Sequence, residues 1–203
     1  MKLDRLELHV RPGRGVYAFP TNDELTLVGI NWAISDFKTA TSDLEVSYRE
    51  AIANCAPDLN TRLEGGLRES RFVGGVVRNF LRKPWGPGWA LVGDAGLTMD
   101  PCTAAGINNA FRDVELLVEA VTARLSGMKP MADTLAEYPV IRDAVSRPIY
   151  DITCELAAFA PPSPHLKALL GSLMGDAERT SRFLGVLAQT VSPVDFFSPD
   201  SLG

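Results

Sequence analysis

The 203 residues predict an α/β chain, a mixture of sheet and helix whose parts are segregated along the sequence. Three observations carry that expectation. Polar and apolar residues alternate near the start, a continuous apolar run ends in a Gly-Asp step near the middle, and an apolar stripe at helical spacing follows it. The length allows one domain or one and a half, with a core of useful size.

Leu6, Leu8 and Val10 alternate with Glu7 and His9, as in a strand with two unlike faces. Gly15 to Pro20 and Leu25 to Ala33 are rich in β-branched and aromatic residues, and Asn22 and Asp23 between them tolerate positive φ, so an antiparallel hairpin is expected. Ser42 or Asp43 caps the next segment, where Leu44, Tyr48, Ala51, Ile52 and Cys55 repeat at helical spacing until Pro57. Leu67 to Trp85 offers two short extended runs broken at Gly74 and Gly75, and "KPWGPG" is a turn-rich hinge. In "WALVG", Leu91 and Val92 form an apolar run without alternation, which predicts a strand covered on both faces, as in a parallel sheet.

Beyond it, Ile107, Ala110, Phe111, Val114, Leu117, Val118, Val121 and Leu125 lie on one helical stripe that Gly127 ends. From Met131 the pattern is helical, with turns at Pro161 to Pro164 and at Ser192-Pro193. Pro139 and Pro148 are expected to kink or break one long helix.

Composition excludes several classes. With 46% hydrophobic and 22% charged residues and a formal net charge of -5, the chain is neither disordered nor a membrane span, and no basic patch suits nucleic acid. Cys55, Cys102 and Cys154 are widely spaced, with only His9 and His165 to help, so no metal site is expected and a reducing cytoplasm fits. The alternation after Met1 lacks the apolar core of a signal peptide, and opens like the middle of a longer protein.

The joint between "WALVG" and the helix carries the chemistry. Gly93 lets a ligand approach the backbone, and Asp94 presents a carboxylate at the carboxyl end of the strand, able to accept hydrogen bonds from hydroxyls. Pro101 stiffens the loop. Gly106 leaves the N–H groups of the first helical turn accessible to an electron-rich ligand edge. A polyol joined to such an edge describes a flavin.

"GDAGLTMDPCTAAGINNAFRDVELL" resembles the second FAD-binding motif of flavoprotein monooxygenases of the aromatic-hydroxylase type: an apolar strand, G-D-A, a proline, G-x-N and a helical aspartate. The upstream "GRGVYAFPTNDELTLVGINW" and "NFLRKPWGPGW" are similar to the substrate-domain sheet and the approach to the motif, so the resemblance spans most of the chain. It implies a partial Rossmann-like FAD-binding domain with a β-sheet substrate portion and a helical carboxyl-terminal region. The divisions it implies are 1–84 for the sheet portion, 85–127 for the FAD-binding strand, loop and helix, and 128–203 for the helical remainder. Gly93, Asp94, Pro101, Gly106, Ile107 and Asn108 are the implied cofactor-binding residues, with Asp94 on the ribityl hydroxyls and Gly106 to Asn108 offering backbone N–H groups to the pyrimidine edge. Asp113 fills the helical aspartate, and "EYPVIRDA" is similar to the tyrosine-then-arginine helix that follows the motif.

The implied activity is that of an FAD-dependent monooxygenase drawing electrons from NADH or NADPH and acting on a small organic substrate. No catalytic side chain is assigned. The chain departs from the pattern at Leu97, where many relatives have histidine, and at Thr103, Ala104 and Ala105, where they carry a glycine pair. No G-x-G-x-x-G follows a strand, so the pyrophosphate-binding fingerprint is missing and the chain reads as a fragment that needs the amino-terminal half of the flavoprotein, inactive alone. The alternative is a binding or interaction domain that has shed redox chemistry.

Blander roles compete at several positions. Asp94 could cap a turn, Asn108 could start the helix, and Asp113 could pair with Arg112 or Arg124. Trp85 and Trp89 read as packing anchors, and Cys102 as an inert small residue.

Overall fold

The computed structural model describes residues 3–127 and 131–198. The chain forms two compact units, Met1–Val76 with Glu155–Pro162, and Val77–Cys154 with Ser163–Gly203. The segment 85–127 therefore shares its unit with most of 128–203.

The first unit is built on an antiparallel sheet of β1 (Glu7–Arg11), β2 (Arg14–Pro20) and β3 (Thr26–Trp32), in that order. Pro12 and Gly13 connect β1 to β2, with Gly13 at φ +87, the left-handed conformation glycine adopts without steric cost. The β2–β3 turn differs from expectation by one residue: Asp23 and Glu24, not Asn22 and Asp23, hold positive φ, because Thr21 N bonds Leu25 O at 2.8 Å and closes the loop there. Three helices follow, α1 (Phe37–Ser42), α2 (Leu44–Cys55) and α3 (Pro57–Leu63). Asp43 caps α2 by accepting from Val46 N, and Pro57 opens α3 where its missing N–H has no consequence.

Alternation on β2 decides what is buried. Val16 and Ala18 are fully buried against Ile52, Cys55 and Leu59, while Tyr17 and Phe19 face the other way with rings stacked at 6.2 Å. Gly29 is required opposite Tyr17: a Cβ there would lie 2.1 Å from the ring. Glu7 and Arg62 form a two-pronged pair at 2.8 and 2.5 Å that ties β1 to α3. Phe159 closes the unit, its carbonyl accepting from Gly13 N at 2.8 Å and its ring lying over Gly15. Of the two extended runs expected over Leu67 to Trp85, the stretch as far as Asn79 forms no strand, with Leu67 and Val73 exposed, whereas Phe80–Leu81 and Trp85 do pair in strands of the second unit.

The second unit holds two short antiparallel pairs, β4 (Phe80–Leu81) with β7 (Leu97–Thr98), and β5 (Trp85–Gly86) with β6 (Trp89–Ala90). Here the expected parallel strand is corrected. Leu91 and Val92 continue β6 as extended chain, but no described strand runs parallel to them, and both are only half-buried. Backbone donors and acceptors must find neighbours to make a sheet, and an apolar run alone does not supply them.

Five helices complete the unit: α4 (Gly106–Leu125), α5 (Met131–Ala157, whose last turn belongs to the first unit), α6 (Pro164–Leu173), α7 (Ala177–Leu187) and α8 (Pro193–Phe196). Ser163, Asp176 and Ser192 cap the last three. The expected break at the prolines does not occur: α5 runs unbroken through Pro139 and Pro148. Leu135, Tyr138, Arg142, Ser146, Ile149 and Thr153 form a buried stripe along it, and that tertiary packing outweighs about 3 kcal/mol lost per interior proline.

Candidate functional site

The site grows from the turn that follows β6. Val92 is extended at φ -129 and ψ 156, and Gly93 then reverses the chain at φ +54. Glycine suits this left-handed turn, and a Cβ at Gly93 would press on the Ala110 methyl of α4 at 3.0 Å. Gly93 N donates to Asp113 Oδ2 at 3.1 Å within the buried interior. A single 3-10 turn, Gly93–Ala95, follows, closed by Gly96 N on Gly93 O at 2.9 Å and by Thr98 Oγ1 on Asp94 O at 2.7 Å.

With its backbone held from both sides, Asp94 exposes its carboxylate. Oδ1 stands 3.9 Å from where a Cβ on Gly106, the first residue of α4, would be. The first N–H groups of a helix have no partner within it, so donors lie at the helix end beside this carboxylate.

The loop from Met99 to Ala105 is fixed by local bonds. Asp100 N donates to Asn79 Oδ1 at 2.6 Å, and Asp100 Oδ1 accepts from Cys102 N at 3.0 Å, capping a 3-10 turn over Pro101–Thr103. Thr103 is buried and shares a hydroxyl bond of 2.7 Å with Thr153 of α5. Ala104 holds φ +54. Pro101 is exposed on this turn. Burial, helped by the neighbouring Asp100 charge, pushes the Cys102 thiol up to about 12, so it stays protonated and unreactive at neutral pH.

Gly93, Asp94 and Gly106 therefore meet at one joint, with Pro101 on the loop that connects them. Ile107 is exposed on the first turn of α4. Asn108 sends its side chain elsewhere, its amide donating to Ala188 O at 2.9 Å. Further along the stripe of α4, Phe111, Val114 and Val118 are exposed and border an open groove of about 660 Å³ that also touches Arg112, Val145 and Gln189. Asp94 does not line this groove.

Behind the joint lies a buried polar cluster whose roles the sequence did not reveal. Asp113 is wholly inaccessible and faces Arg112 at 3.7 Å; burial raises its pKa against the pull of Gly93 N–H and the arginines. Burial lowers the Arg112 pKa in turn, while its guanidinium bonds Gln189, Ser146 at 2.7 Å and Asn109 at 2.8 Å. Tyr138 donates to Leu91 O at 2.9 Å, and burial pushes its hydroxyl up to about 12. Arg142, also wholly buried, donates to Arg82 O at 3.0 Å and to Asp143 at 2.8 Å. The Tyr138-to-Arg142 spacing of one helical turn was the available signal; that Tyr138 reaches Leu91 O and Arg142 reaches Arg82 O was not. The side chain of Arg124, the other partner considered for Asp113, lies outside the described side chains.

No family pattern matches this sequence. The fold is that of FAD-dependent flavoproteins, shared with solved structures at low sequence identity. The flavin-dependent brominase Bmp2 superposes with a TM-score of 0.76 at 13% identity, over 96% of this chain and 47% of that one. PqsL of Pseudomonas aeruginosa, described as a probable FAD-dependent monooxygenase, superposes with a TM-score of 0.64 at 23% identity, over 76% of this chain and 44% of that one. Among curated proteins, the digeranylgeranylglycerophospholipid reductase of Methanocella arvoryzae is 31% identical over 67% of this chain and 33% of its own length. The chain spans about a third of that curated relative and just under half of the two structures.

Proposed function

We propose that this chain forms the flavin-facing part of an FAD-dependent oxidoreductase, of NAD(P)H-dependent monooxygenase type, acting on a small organic substrate in the cytoplasm. One observation carries the reading: an exposed carboxylate, Asp94, stands beside the amino end of α4 at Gly106, with the neighbouring backbone held by hydrogen bonds to Asp113, Thr98 and Tyr138. The donor set fits the cofactor. Asp94 accepts from ribityl hydroxyls, Gly106, Ile107 and Asn108 present N–H groups to the pyrimidine edge, and Gly93 and Pro101 shape the approach.

A bound flavin supplies the electron transfer between nicotinamide, dioxygen and substrate. The protein's part at this joint is to orient the flavin and to favour negative charge at its pyrimidine edge through fixed N–H dipoles. The pyrophosphate falls to a dinucleotide-binding half outside these residues, for which the exposed stripe of α4 and the half-buried Leu91-Val92 run are suitable docking surfaces. The open face of the first-unit sheet, bearing Leu8, Val10, Tyr17 and Phe19, is the proposed substrate wall; PqsL has been solved with 2-aminobenzoylacetate, which supports a substrate of that size.

The test is FAD retention by the chain assembled with its dinucleotide-binding half. Asp94→Ala is expected to weaken FAD binding at least about tenfold, the value of one hydrogen bond to a charged acceptor, with little change in substrate choice. Equal flavin content in both proteins would overturn the assignment.

A further inference from the structure

We infer that Asp113 and Tyr138 are positioning residues for the flavin site, gripping the chain on either side of Val92 so that the Asp94 carboxylate is set at a fixed distance from the amino end of α4. The inference rests on the proposed flavin site and adds to it what holds its geometry.

Asp113 and Gly106 sit on the same helix, about two turns or 10 Å apart, so α4 itself acts as the ruler between them. Asp113 Oδ2 accepts from Gly93 N at 3.1 Å, which pins the residue before Asp94 to one end of that ruler. Ala110, between the two, packs on Gly93 so closely that a methyl there would lie 3.0 Å away. Tyr138 holds Leu91 O at 2.9 Å from the opposite helix, α5, so the chain cannot swing about Gly93 in either direction. Asp113 is wholly inaccessible and Tyr138 nearly so, which places both out of reach of any ligand. Asp113 Oδ1 faces Arg112 at 3.7 Å, an ion pair that helps hold the buried carboxylate. Its bond to Gly93 N is the short contact that reaches the chain before Asp94, and this is the contact that aims Asp94.

Riboflavin and lumiflavin separate positioning from bulk stability, because they share the ring and differ in the ribityl chain that Asp94 is proposed to hold. Binding of each to the full chain is read by quenching of flavin fluorescence. The unaltered chain is expected to prefer riboflavin about tenfold, and Asp94→Ala to abolish the preference. Asp113→Ala is expected to abolish it as well. Asp113→Asn is expected to restore it, since the amide oxygen still accepts from Gly93 N. Tyr138→Phe, which keeps the ring packed, is expected to reduce the preference severalfold. A merely structural role would lower both affinities together and leave their ratio intact, which overturns the inference. If the ratio survives Asp94→Ala, the flavin site itself is wrong and the inference falls with it. If it is lost in Asp94→Ala but kept in Asp113→Ala and Tyr138→Phe, the inference alone fails.

Discussion

Ala104 holds a left-handed backbone that L residues adopt at a cost of about 1–2 kcal/mol. It falls in the loop where the resembled motif carries a glycine pair. Ala104→Gly is therefore expected to stabilise the chain by about 0.5–1 kcal/mol, after allowing for the greater freedom of glycine in the unfolded state. A higher urea midpoint with unchanged slope would be the reading, and a lower midpoint would contradict it. Glu7 offers a second check at this scale. The hydrogen bonds from Arg62 hold its carboxyl below the usual carboxylate range. A depressed folded-state pKa gives stability that is present above the unfolded value near ~4.3 and is lost as pH falls through the folded one. Glu7→Gln should flatten the acid side of the stability profile below about pH 5 and change little at pH 7 beyond the modest value of a partly exposed pair.

At the scale of elements, α4 carries the clearest liability. Ile107, Phe111, Val114 and Val118 expose one continuous apolar face, and a soluble monomer rarely leaves such a patch open. The purified chain is expected to self-associate with rising concentration. Replacing Phe111 and Val118 by glutamate should shift sedimentation toward the monomer without changing helix content; unaltered association would place the contact elsewhere.

The same helix marks where sequence reasoning succeeds and where it stops. Its ends, its stripe and the cap of α2 were legible, because caps and periodicity are local physics: Asp43 reaches a backbone N–H three residues away and nothing distant intervenes. The Gly93, Asp94 and Gly106 juxtaposition was legible for the same reason, since the loop between them is short. What covers a face is not local. The apolar run at Leu91-Val92 was read as a buried parallel strand, yet neighbouring strands, and not its own residues, decide that outcome. Pro139 and Pro148 mislead in the opposite sense, for the buried stripe from Leu135 to Thr153 holds α5 together against a local preference to break. The reach of Tyr138 to Leu91 O and of Arg142 to Arg82 O likewise depends on partners 47 and 60 residues upstream.

For the whole molecule, the notable feature is that one unit is closed by a residue from late in the sequence. Phe159 is 7% exposed against the first hairpin, so Phe159→Ala is expected to destabilise the amino-terminal unit by about 3 kcal/mol, at the low end for a buried phenylalanine. Amide exchange at Val16 and Ala18 should quicken accordingly while that of the α7 core around Val186 does not. Equal protection in both proteins would mean that the contact contributes nothing to holding the hairpin.

That closure also orders events during synthesis. The clasp at Gly13 forms only once the polypeptide has grown past Phe159, and joining such distant partners carries a loop entropy that slows the step. Until then the hairpin of β1 and β2 waits without its clasp, made well before the residue that secures it.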